Sequence, residues 1–97
     1  MAKVGLLVRL EAKPGQEAEV EAFLHEGLGL ALNEPGTRSW YALRFGERSF
    51  GIFDTFDNED GRASHLSGPI AQALLHNAPL LLAQAPQIEM LVVLAEK

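Results

Sequence analysis

Residues 3–10 (KVGLLVRL) mix alternation with a continuous apolar run, the pattern of an interior strand covered on both faces. Pro14 and Gly15 break it. Val20, Phe23, Leu24, Gly27, Leu28 and Ala31 then recur at helical spacing, while Glu17, Glu19, Glu21 and Glu26 fall mainly elsewhere on the wheel. The first glutamates also suit the positive end of the helix dipole. Gly27 and Gly29 would each cost a regular helix about 1 kcal/mol relative to alanine, so either a neighbour packs closely against them or the helix frays. The turn residues NEPG, 33–36, close this segment.

Residues 37–45 (TRSWYALRF) and 49–56 (SFGIFDTF) are two β-rich runs joined by Gly46, Glu47 and Arg48, a link that predicts a hairpin. Period-two alternation puts Arg38, Trp40, Ala42 and Arg44 on one face of the first, with Tyr41 and Leu43 on the other. In the second, Phe50, Ile52, Asp54 and Phe56 oppose Gly51, Phe53 and Thr55, which leaves Asp54 as a carboxylate on an otherwise apolar face. Asp57 is the expected N-cap of a helix over 58–66. Gly68 and Pro69 interrupt that helix and restart a second piece through residue 77. Pro79 and Pro86 bracket one more short turn or helix. Residues 88–97 (IEMLVVLAEK) predict a fourth strand, apolar enough to be central or covered on both faces.

The order is βαββαβ in a single domain over residues 1–97. Right-handed crossovers then favour an α+β, ferredoxin-like fold, with a four-stranded antiparallel sheet of order 4-1-3-2 and the helices on one face. The opposite face carries too many apolar residues to stay bare, and a second copy of the chain is the simplest cover, so a homodimer is expected. Composition narrows the partners. A formal charge of -5 repels polyanions, which argues against nucleic acid and anionic membrane. With no cysteine there is neither a disulfide framework nor a thiolate metal site, and the three histidines lack ligand spacing, so no metal is expected. No apolar N-terminal stretch suggests a signal peptide or membrane span, and the expected location is the cytoplasm. The turns contain no phosphate-binding loop, and no G-x-S-x-G is present.

Four stretches in order, KPGQEAEVEAFL, EPGTRSW, FGIFDTFDNEDGRASHL and IEMLVVLAEK, make the chain resemble the antibiotic biosynthesis monooxygenase domain family of dimeric α+β barrel proteins. The resemblance implies a reaction of molecular oxygen with a hydroxylated aromatic or quinol, without metal, flavin or haem. The family's recurrent histidine falls on His65. A related haem-degrading branch resembles the chain less well: the tryptophan expected in its second helix is absent there, Trp40 lying on the second strand, and its first-strand asparagine is also missing.

Such an oxygenase needs a dry pocket and a group that takes a phenolic proton, a step that suits histidine because its pKa lies near neutrality. His65 is therefore the catalytic candidate, oriented by Asp54 or Asp57. Trp40, Arg44, Phe23 and Phe56 are the candidates for binding substrate. The competing assignments are structural: a capping or interface role for His65, an ion pair for Arg44 and core packing for the aromatics. A non-catalytic dimeric module that binds or senses a small molecule is the alternative function.

Overall fold

The computed structural model describes residues 2–97. Its elements are β1 (Val4–Glu11), α1 (Glu17–Ala31), β2 (Thr37–Arg44), β3 (Ser49–Phe56), α2 (Glu59–Leu66), α3 (Pro69–Leu81) and β4 (Gln87–Val92). The four strands form one antiparallel sheet in the order β2-β3-β1-β4, the expected ferredoxin-like arrangement. Register places Leu6 opposite Asp54, Val8 opposite Ile52 and Leu10 opposite Phe50. Because side chains alternate across a strand, this register puts all six on one face.

That face meets the helices. Val20, Leu24, Gly27 and Ala31 form the buried stripe of α1, and Val8, Leu10, Val20, Leu24, Phe50, Ile52, Leu74 and Leu82 belong to the main core. Burying each large aliphatic or aromatic side chain there is worth about 1.5–3 kcal/mol. Leu28, expected in the stripe, is exposed instead. The two helix glycines have different explanations. A Cβ on Gly27 would lie 3.3 Å from Cζ2 of Trp40, so the indole takes the space a side chain would occupy. Nothing lies within 4 Å of a Cβ on Gly29, yet α1 continues past it.

Three expectations require correction. The N-cap of α2 is Asn58, whose side chain accepts from the Gly61 amide at 2.9 Å, while Asp57 turns outward to Arg38. Pro79 does not start a separate element. It lies in the closing turn of α3, where its missing amide removes only one helical bond, and Leu82 then bridges to Ala12. Finally, β4 is neither central nor doubly covered: it forms a sheet edge, and the helices pack over β1, β2 and β3. Ile88, Met90 and Val92, which point to the helix side, are consequently exposed.

Candidate functional site

Asp54 sits in the middle of the helix-facing side of β3, flanked across the sheet by Leu6 and Trp40. Its side chain has no solvent exposure. Above it, α2 ends one residue beyond His65, and that ring is buried to 7% exposure. Nε2 of His65 stands 2.8 Å from Oδ2 of Asp54, an ion-pair distance, although neither Asp54 oxygen receives a well-aligned hydrogen bond. Phe56 lies beside the pair, its ring centroid 5.2 Å from the imidazole's.

The second ring nitrogen is also engaged. Nδ1 of His65 is 2.6 Å from Oε1 of Glu34, a residue of the α1–β2 turn. Local structure fixes this glutamate: its carbonyl accepts from the Thr37 amide, with Pro35 preset for the turn, and the Thr37 hydroxyl donates to the same Oε1 at 2.8 Å. The turn can approach α2 because glycine faces glycine. A Cβ on Gly61 would come within 2.9 Å of the Gly36 carbonyl oxygen.

An imidazole can donate from both nitrogens only when protonated, so the two flanking carboxylates favour the imidazolium. Burial opposes the charge and pulls the His65 pKa down, but its interactions with Asp54 and Glu34 outweigh burial and raise the pKa above its ordinary value. Its place in the last turn of α2 also puts a cation at the negative end of the helix dipole. The carboxylates lie at opposite ring nitrogens rather than converging on one point. In keeping with this, no group of three potential ligands suited to a metal ion occurs among the described residues.

His65 and Glu34 line a cavity of 570 Å³ bounded by the α1–β2 turn, α2 and the start of α3. That volume is in the range of small-molecule sites. The sequence-derived candidates divide around it. Of them only His65 lines it: Asp54 and Phe56 are buried behind and beside the ring, and Trp40, Arg44 and Phe23 also lie outside this cavity. Trp40 covers Gly27 from β2, with its indole nitrogen buried and without a partner. Arg44 lies at the other end of β2, donating to the carbonyls of Gly46 and Glu47 and pairing with Glu21. Phe23 packs against the core from α1.

Glu34 is masked in the sequence by its setting in NEPG, which has the pattern of an ordinary turn. The available signal was an acidic side chain three residues before a threonine across that turn.

No family model matches the sequence, and no curated protein matches it. Among solved structures, a protein of unknown function from Nitrosomonas europaea is 54% identical, with a TM-score of 0.98 over 100% of this chain and 94% of that one. A putative antibiotic biosynthesis monooxygenase from Caulobacter crescentus is 22% identical, with a TM-score of 0.82 over 97% of this chain and 92% of that one. Another from Chloroflexus aurantiacus is 23% identical, with a TM-score of 0.77 over 99% and 97% of the two chains. These last two have the same fold as this chain.

Proposed function

We propose that this chain, which belongs to the same family as the Nitrosomonas europaea protein and has the fold of the antibiotic biosynthesis monooxygenases, is a cofactor-independent monooxygenase acting on a hydroxylated aromatic or quinol. The reading rests on the His65–Glu34 pair in the wall of the 570 Å³ cavity. In this scheme the substrate hydroxyl gives its proton to the Glu34 carboxylate of that pair, whose Oε2 has no donor. Asp54, behind the ring, is a positioning residue that holds the imidazolium in place.

The phenolate then passes one electron to dioxygen, and the resulting radical pair joins at a ring carbon to form a peroxide. The stored proton returns to the peroxide. Loss of water, which takes the hydrogen from that same ring carbon, breaks the O–O bond and leaves a quinone. Overall, a phenol and dioxygen give a quinone and water. The residues contribute by taking up the proton and returning it.

One observation favours the alternative of a binding module: both nitrogens of His65 already face carboxylates, leaving no free ring nitrogen to act as a base. Oxygen uptake by metal-stripped protein over a panel of quinols and polycyclic phenols separates the two readings. Uptake that falls at least about tenfold in Glu34→Gln and His65→Ala supports the oxygenase. Saturable binding without uptake supports the module.

The assembly proposed is a homodimer packed through the open sheet face. Tyr41 and Phe53 stack there with centroids 6.2 Å apart, and Tyr41 and Phe45 are 55% and 50% exposed. Arg9, Glu89 and Glu11 lie toward the end of the same face, giving an apolar centre with a polar margin. A two-fold axis lets this one patch cover itself. Light scattering tests the idea: a monomer at micromolar concentration overturns it, and Tyr41→Glu should convert a dimer to a monomer.

A further inference from the structure

We infer that the cavity beside Glu34 accepts neutral or cationic hydrogen-bond donors and rejects anions, with Glu34 as the discriminating residue. The inference builds on the reading of this cavity as a site for a hydroxylated aromatic, and adds a charge rule for its ligand.

The wall supports the rule. Glu34 and Asp60 both line the cavity, and its lining includes no lysine or arginine. The single cationic group, the His65 imidazolium, has a carboxylate at each ring nitrogen and offers an entering anion no free N–H. Within the Glu34 carboxylate, Oε1 receives both the His65 ring and the Thr37 hydroxyl, whereas Oε2 is buried with no donor. That unfilled oxygen lies beside Gly68, another lining residue, where a Cβ would approach it to 3.2 Å. A buried carboxylate oxygen lacking a donor is the group that gains most from an incoming O–H or N–H. An incoming carboxylate or phosphate would instead meet like charge in a partly desolvated space.

The test compares α-naphthol with the α-naphthoate anion, aromatic probes of similar shape and different charge, by titrating the full chain at neutral pH. Amide shifts at Asn33, Glu34, Gly36 and Thr37 and at residues 58–68 report binding in the cavity rather than on the open sheet. Naphthol should bind at least about tenfold more tightly than naphthoate. Glu34→Gln should reduce that preference to within about threefold, and Asp60→Asn, an exposed change on α2, should lower it in the same direction. Equal affinities, or tighter binding of naphthoate, overturn the inference while leaving an aromatic site in place. Failure of both probes to move these amides overturns the aromatic site and the inference with it. Preferential naphthol binding in a protein with no oxygen uptake sustains the charge rule and removes the oxygenase reading.

Discussion

His65→Ala probes the electrostatic heart of the site. The substitution leaves Asp54, which has no solvent exposure, without a cation and without any aligned hydrogen bond. Breaking a buried ion pair from one side costs about 3–5 kcal/mol, because the remaining charge stays desolvated and unpaired. In a domain of this size the cost corresponds to a fall in Tm of at least about 12 °C. Urea and thermal denaturation at neutral pH would measure it. Adding Asp54→Asn to His65→Ala removes the stranded charge and should recover about 1–3 kcal/mol. The pH dependence has a definite sign. His65 has a raised pKa in the folded protein, so its stabilising contribution is complete below about 6.5 and is lost as pH rises through the folded value. The stability gap between wild type and His65→Ala should therefore narrow toward alkaline pH. A loss below about 1 kcal/mol for His65→Ala, strict additivity in the double variant, or a gap that widens with pH would refute the buried-pair reasoning.

Further outcomes follow from packing and exposure. Gly29→Ala should stabilise the protein by about 0.5–1 kcal/mol in chemical denaturation, since a Cβ there meets nothing. Gly61→Ala should destabilise it by about 1–3 kcal/mol, because the new methyl strikes the Gly36 carbonyl, and the same variant should weaken naphthol binding by displacing the turn that carries Glu34. Asn58→Ala removes the cap of α2 and should cost about 0.5–2 kcal/mol by denaturant titration. Arg44→Ala deletes an exposed ion pair with Glu21 and should change stability by less than about 1 kcal/mol, measured the same way.

The sequence by itself determined the order of elements, the 4-1-3-2 sheet and the opposite orientations of Trp40 and Tyr41, because period-two and period-3.6 patterns record which side of an element is buried. The same local signal marked Asp54 as a carboxylate on an apolar face and placed His65 near the end of the following helix. Tertiary structure alone decided what those groups meet. His65 and Glu34 are 31 positions apart, and they touch because the α1–β2 turn docks on α2 through Gly36 and Gly61. No pattern within either segment encodes that approach. Likewise, alternation put Trp40 and Arg44 on one strand face, but a strand rises about 3.3 Å per residue, and that span carries Arg44 to the far end, beyond the cavity. The exposure of β4 has a related cause: its apolar pattern recorded a need for cover, while the docking of the helices decided that none of them supplies it.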